Sequence, residues 1–266
     1  MFQDKVTPHF LIANNLKLDS PLFIYLPGMD GTGQLLKRQL GNLTKCFNVR
    51  CLVIPGDDVN NWEVLSSKVL SLVKRELKKQ PHPSVYLCGE SFGGCLALKV
   101  ALKEPELFER IILVNSASSF LQKPFLSWGI QLLKLMPEFL YRQAVLILLP
   151  FLVVFSKVSS QDCQNLTEAM KSIPPQTVSW RLSLLRDFRA SVESLRLLQQ
   201  PVLLIAGALD QVLPSVKEAE YLASNLPNGR VKILPESGHA CLLEQDINLD
   251  EIIKDWEKQG NSRILV

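Results

Sequence analysis

The sequence predicts an α/β fold: a mostly parallel, doubly wound sheet interrupted by an inserted helical block. Strand-length apolar runs alternate with helical patterns from Pro21 to Val114. The alternation stops between Ser116 and about Gln199, where apolar helical pieces broken by prolines replace it. It resumes at Val202 and continues to the last helical stretch.

In chain order, strands are expected over Leu22–Leu26, Val49–Ile54, Val85–Cys88 and Ile111–Val114, with helices over Gly33–Lys45, Trp62–Lys79 and Phe92–Lys103 between them. Arg50 aside, the strands are continuously apolar, as they are when helices cover both faces of a parallel sheet. The second helix sets Trp62, Leu65, Val69, Leu72, Val73 and Leu77 at helical spacing. The inserted block reads as helices over Phe125–Leu135, Phe139–Phe155 and Leu182–Leu198, with prolines at 137, 150, 174 and 175. Strand Val202–Ala206, helix Ser215–Leu226, strand Val231–Leu234 and helix Cys241–Lys258 complete the reading. The expected division is a core first part over 1–118, a helical lid over 119–199 and a core second part over 200–266.

Composition narrows the class. With 266 residues, 47% hydrophobic and 21% charged, the chain has ample material for one large globular core. The net charge is only +3, and the one basic run, Lys74 to Lys79, lies on the polar side of an amphipathic helix, so no nucleic-acid partner is expected. The six cysteines show no C-x-x-C pair and no metal-ligand spacing, which predicts buried reduced thiols in a cytosolic compartment, no metal and no cofactor. The N-terminus lacks the basic start and long apolar core of a secretory signal. The longest apolar run, Ala144 to Phe155, is broken by Pro150 and too short to span a bilayer. The expectation is a soluble cytoplasmic protein whose lid would make any peripheral membrane contact. Nothing in the pattern reports an oligomeric state.

The chemistry is concentrated in a few turns. Gly89-Glu90-Ser91-Phe92-Gly93 joins a strand to a helix with almost no loop, the setting in which a strained serine is exposed as a nucleophile. Such a serine needs a base, an acid to orient the base, and amides for the oxyanion. Of the three histidines, His9 lies in the N-terminal arm and His82 at the start of the serine strand. His239, in "LPESGHACLLE", alone follows the carboxyl end of a strand, where Ser91 also lies. Asp210 stands after the strand in "VLLIAGALDQVLP", five residues before Ser215, which is the better cap for the helix that follows. The loop after Val114, Asn115-Ser-Ala-Ser-Ser119, offers no competing carboxylate. The oxyanion hole is expected from the amides of Phe92 and of Met29, the latter in the Gly-rich loop "YLPGMDGTG". That loop lacks the Gly-Lys-[Ser/Thr] of a phosphate loop, and its glycines at 28, 31 and 33 do not match a dinucleotide fingerprint.

With Ser91, Asp210 and His239 in that chain order, the sequence resembles the α/β-hydrolase superfamily over nearly its whole length. More narrowly, "LPGMDGTG", "FNVRCLVIP" and "GESFGGCLAL" are similar to the hydrolase part of plastid phytyl ester synthases, an esterase/lipase/thioesterase-like family. The resemblance implies long-chain acyl substrates, with transfer to phytol or diacylglycerol in some members. Ser91, Asp210 and His239 match its triad position by position. The plant proteins carry a further acyltransferase-like segment, and this chain ends soon after its last helix, a departure that weighs against synthase activity.

The expected function is that of a serine hydrolase acting on lipid-like acyl esters or thioesters through an acyl-serine. The excess apolar residues of the lid, Trp128, Leu132, Leu133, Leu135, Phe139 and Leu140 among them, favour a lipidic substrate. One alternative passes the acyl group to phytol, diacylglycerol or another alcohol. A second keeps the triad for carbon–carbon cleavage or a lyase step. An alternative of another class is a catalytically silent binding protein with the same fold, against which the complete set of residues argues. A dehalogenase is excluded, because that chemistry needs a carboxylate where Ser91 stands.

Overall fold

Strand β2 (Leu22–Leu26) shows how the apolar runs build the core. In the computed structural model, which describes residues 7–13, 17, 19–118 and 136–261, Leu22, Ile24 and Leu26 enter one apolar cluster while Phe23 and Tyr25 enter another. Successive side chains on a strand point to opposite faces, so a run that is apolar at every position must be covered twice. Strands β3 (Asn48–Val53), β4 (Val85–Glu90), β5 (Arg110–Val114), β6 (Val202–Gly207) and β7 (Gly229–Leu234) lie beside it. With β1 (His9–Ile12) at one edge, the seven-stranded order is β1-β3-β2-β4-β5-β6-β7. Every neighbouring pair is parallel except β1 with β3. The edge strand has only four residues, HFLI, too short a run to announce a strand, and its place rests on backbone pairing.

Helices α1 (Lys37–Cys46) and α9 (Leu249–Asn261) cover one face through Leu43, Leu249, Ile253 and Trp256. Helices α2 (Trp62–Lys79), α3 (Phe92–Lys103) and α8 (Ser215–Asn225) cover the other. The chain leaves β2 towards β3 and leaves β4 in the opposite direction towards β5, so adjacent strands β2 and β4 form a topological switch point. A crevice opens outside the carboxyl ends of strands at such a point.

Among the described residues, four helices lie between β5 and β6: α4 (Glu138–Leu152), α5 (Ser160–Lys171), α6 (Pro175–Asp187) and α7 (Val192–Leu197). The expected single helix Leu182–Leu198 is thus two, α6 ending at Asp187 and α7 starting after its cap Ser191. Helix α5 has no apolar run to predict it, since its sequence, SQDCQNLTEAMK, is mostly polar. The expected helix Cys241–Lys258 is also divided, a 3-10 turn at Cys241–Leu243 preceding α9. The Gln39 side chain holds the break by accepting from the Leu249 amide at 2.9 Å. The expected helix Phe125–Leu135, with Trp128, Leu132, Leu133 and Leu135, lies outside the described residues.

Cys51, Cys88, Cys95 and Cys241 are buried, Cys46 and Cys163 are half-buried, and all six are free thiols. In the basic run, Lys74 pairs with Glu104 at 2.7 Å and Lys79 with Glu76 at 2.6 Å. Among the described residues, no helix is long and apolar enough to cross a membrane.

Candidate active site

Ser91 sits at the switch point, on the turn between β4 and α3. Its backbone adopts φ 53° and ψ −112°, a strained conformation for a residue with a Cβ. The turn closes only because its flanks are glycine. A Cβ at Gly93 would stand 2.0 Å from the Leu26 carbonyl oxygen, and one at Gly89 would stand 2.2 Å from that of Gly93. The Ser91 amide donates to the Val114 carbonyl at 2.9 Å, which ties the turn to the end of β5.

His239 and Asp210 approach from the loops after β7 and β6. The His239 Nε2 lies 3.0 Å from Ser91 Oγ, and its Nδ1 lies 2.7 Å from Asp210 Oδ2. Asp210 Oδ1 accepts from the amides of Val212 at 2.8 Å and Leu213 at 2.9 Å, so its other oxygen is the one turned to the imidazole. Ser215 does not cap α8 as expected; the cap position is Pro214, and the Ser215 hydroxyl donates to Asp210 Oδ2. Burial pushes the Asp210 carboxyl up, but hydrogen bonds from His239, Ser215 and the Leu213 amide, with the His239 charge, hold it below the usual range. Of the other histidines, His82 contacts the Ser20 carbonyl at 3.1 Å, at the amino end of the sheet, and His9 is exposed.

The loop after β2 leans on the nucleophile. A Cβ on Gly28 would lie 3.8 Å from that of Ser91. The Gly28 carbonyl accepts from the Gly31 amide at 3.1 Å, which fixes the plane of the peptide carrying the Met29 N–H. Phe92 opens α3, so its amide has no acceptor within the helix. The structure therefore brings Ser91, His239 and Asp210 into one hydrogen-bonded row, with the two backbone positions, Met29 and Phe92, beside the serine.

The family model described as "Serine aminopeptidase, S33" (Hydrolase_4) matches residues 57–246. The chain belongs to this family. Phytyl ester synthase 1, chloroplastic, of Arabidopsis thaliana is 36% identical over 267 residues, covering 92% of this chain and 38% of that protein. Pimeloyl-[acyl-carrier protein] methyl ester esterase of Nitrosomonas europaea is 33% identical over 167 residues, covering 59% of this chain and 65% of that protein. The chain thus spans less than two-fifths of the first relative's length. The solved structure of a thermophilic esterase from Thermogutta terrifontis shares the fold with a TM-score of 0.72 at 18% identity, over 96% of this chain and 94% of that one.

This α/β hydrolase has a cavity of about 270 Å³ opening at Ser91 and His239. Val145 and Leu148 of α4, Leu166 and Met170 of α5, and Val178 and Leu182 of α6 line it. All three helices come from the block between β5 and β6, so that block makes most of the apolar wall.

Three polar residues at the site escaped the sequence reading. Glu90 precedes the nucleophile, lines the cavity and accepts a short hydrogen bond from the Tyr25 hydroxyl. Burial pushes its carboxyl up to about 7, against the pull of Tyr25 and His239. Its place inside the Gly-x-Ser-x-Gly motif was the available signal. Asn115, at φ 42° just past β5, donates to the carbonyls of Gly238 at 3.1 Å and His239 at 2.7 Å and accepts from the Gly207 amide at 2.8 Å. An asparagine directly after an apolar strand is a residue that tolerates the left-handed region, which was its only signal. Arg181 of α6 is buried, and its guanidinium donates to the carbonyls of Met29, Ile54 and Pro55. Its signal was an arginine on the apolar stripe Val178, Arg181, Leu182, Leu185.

Proposed function

We propose that the chain is a serine hydrolase that cleaves carboxylic ester or thioester bonds of lipid-like acyl substrates through an acyl-Ser91 intermediate. The observation that carries the reading is the His239 imidazole bridging Ser91 Oγ at 3.0 Å and Asp210 at 2.7 Å, at the mouth of an apolar cavity. With Nδ1 donating to Asp210, the Nε2 lone pair faces the serine. His239 takes the Ser91 proton as Oγ attacks the acyl carbon, and the Met29 and Phe92 amides stabilise the developing oxyanion. The imidazolium then protonates the leaving oxygen or sulfur. Water, deprotonated by the same imidazole, attacks the acyl carbon; the bond to Oγ breaks, the imidazolium returns its proton to Ser91 Oγ, and the acid leaves.

The helices between β5 and β6 act in this reading as a cap that selects the acyl chain, consistent with the expected lid over 119–199. Removing a chain from water into this wall stabilises the complex by about 25 cal/mol per Å² of apolar surface. Phe139, Ile147 and Phe151 on the outer side of α4 and Phe155 just beyond it are 66%, 72%, 46% and 55% exposed, which supports contact with a lipid surface from which the acyl chain enters. A second reading, transfer of the acyl group to an alcohol, is supported by the phytyl ester synthase likeness. It needs only an alcohol in place of water at the acyl-serine.

The test is incubation of the protein and its Ser91→Ala variant with a fluorophosphonate probe, and separately with a mixed lipid extract, followed by mass spectrometry. Labelling at Ser91 alone and an acyl adduct on that residue support the reading. Labelling that persists in Ser91→Ala removes it. The product, free acid or new ester, separates hydrolysis from transfer.

A further inference from the structure

Arg181 is among the largest side chains that are fully buried; Asp30 and Asp58 act on its charge through space, but the hydrogen bonds of its guanidinium go to backbone carbonyls. It projects from α6 into the sheet's carboxyl edge, where Nη1 donates to the Met29 carbonyl at 2.7 Å. Nη2 donates to the carbonyls of Ile54 at 3.3 Å and Pro55 at 3.0 Å. One guanidinium therefore joins the loop after β2 to the loop after β3, from a helix of the cap. The loop is shaped to receive it. Gly31 lies at φ +69°, and a Cβ there would stand 2.7 Å from Nη1. Gly31 also donates to the Gly28 carbonyl and accepts from the Ile54 amide at 2.7 Å. Gly28, Met29, Gly31 and Ile54 thus form one hydrogen-bonded unit with the guanidinium at its centre. Burying a guanidinium is costly, and the field of Asp30 and Asp58 together with the bonds to backbone carbonyls offsets that cost only if those bonds are all made.

We propose that Arg181 is a positioning residue that couples the cap to the oxyanion hole, holding the Gly28–Gly31 turn so that the Met29 amide faces the acyl oxygen. This rests on the serine-hydrolase reading above. The Arg181 hydrogen bond fixes the peptide after Met29 and the Gly31 bond fixes the peptide before it, so the Met29 N–H has one direction. A guanidinium is suited to this, since its planar fork meets several acceptors at fixed angles, where an ammonium is a single point. Because the residue sits on the same helix as Val178 and Leu182 of the cavity wall, a shift of α6 on acyl binding moves the oxyanion donor with it.

The experiment measures kcat and KM for a p-nitrophenyl ester, affinity for an alkyl boronic acid that forms a tetrahedral adduct on Ser91, and melting temperature, in the full chain and in Arg181→Met and Arg181→Lys. Removing an oxyanion donor costs about 10²–10³-fold in kcat, so a misdirected one should cost about 10–100-fold. The expected result is that kcat falls by that factor in both variants while KM changes by less than about threefold. Boronate affinity should fall in step with kcat/KM, because both report the tetrahedral state. In a third variant, Arg181→Ala, used for this arm alone, added guanidinium ion should restore part of kcat. A purely structural role would lower the melting temperature and active fraction without changing boronate affinity per active site, and that outcome overturns the proposal. Unaltered kcat in Arg181→Met, or loss of folding in both variants, overturns it as well. Fluorophosphonate labelling of the unmodified protein separates the two failures: with labelling present, only the coupling falls, and with labelling absent, the serine reading falls too.

Discussion

Asn115 holds the main chain of His239: its Nδ2 donates to the His239 carbonyl at 2.7 Å while its Oδ1 accepts from the Gly207 amide at 2.8 Å. The loop that carries the imidazole and the strand end that leads to Asp210 are thereby fixed to the end of β5, one strand from the nucleophile. The close approach of Gly207 to Gly238 and Ser237, whose carbonyl oxygens would stand 2.5 Å from a Cβ on Gly207, belongs to the same arrangement. Three loops far apart in sequence meet through one side-chain amide.

Replacing Asn115 by Ala should therefore lower kcat about 10–100-fold, since a displacement near 1 Å at the reacting groups costs that much. It should also cost about 1–3 kcal/mol of stability by leaving buried backbone groups unpaired. Steady-state kinetics with denaturant titration checks both. Wild-type kcat in this variant would remove the bracing role.

His239→Ala should reduce ester turnover by at least about 10³-fold, and Asp210→Asn by on the order of 10³–10⁴-fold with the fold intact. His82→Ala and His9→Ala should keep most of the activity, since His82 contacts Ser20 at the far end of the sheet. Circular dichroism alongside the rates separates lost chemistry from lost structure. Equal damage from His82→Ala would point to a different base.

Glu90 makes stability depend on pH. Its carboxyl is raised from an ordinary 4.5 to about 7, so between those values the folded chain holds a proton that the unfolded chain has released. Stability from this group is full below about 4.5 and is lost as pH rises to about 7. Glu90→Gln keeps an acceptor for Tyr25 without the charge. It should raise the melting temperature at pH 8 and change it little at pH 4.5. A melting difference that is the same at both pH values would show that Glu90 does not titrate in this range.

The cavity wall should set chain-length preference. Each methylene taken up contributes at most about 0.8 kcal/mol, or roughly fourfold in kcat/KM, so p-nitrophenyl esters should improve from acetate through the medium chains. Leu148→Asp, on the wall, should flatten that rise and leave acetate nearly unchanged. Phe151 lies off this cavity, beside Asp210 on the outer side, and Phe151→Asp should leave the slope intact while weakening association with lipid vesicles. Acetate preferred in the unmodified protein would remove the lipid assignment and leave the serine chemistry standing.

The sequence by itself determined the class of fold and the order of its chemistry. Strands apolar at every position can only be covered on both faces, so Leu22–Leu26 and Val202–Ala206 announce a sandwiched parallel sheet before any contact is known. Glycines at 89 and 93 around Ser91 report a turn that no Cβ would permit. A scarcity of histidines singles out His239. Tertiary structure alone decided the rest, because those features depend on neighbours distant in sequence. The edge strand His9–Ile12 is set by backbone pairing with β3, and its short apolar run, Phe10 to Ile12, is too brief to report a strand by itself. The break between Cys241–Leu243 and α9 depends on Gln39, about 200 residues earlier. Ser215 has the composition of a helix cap and is drawn instead to Asp210. Asn115 and Arg181 carry no motif; their importance lies in carbonyls that only the packed sheet and cap bring within hydrogen-bond reach.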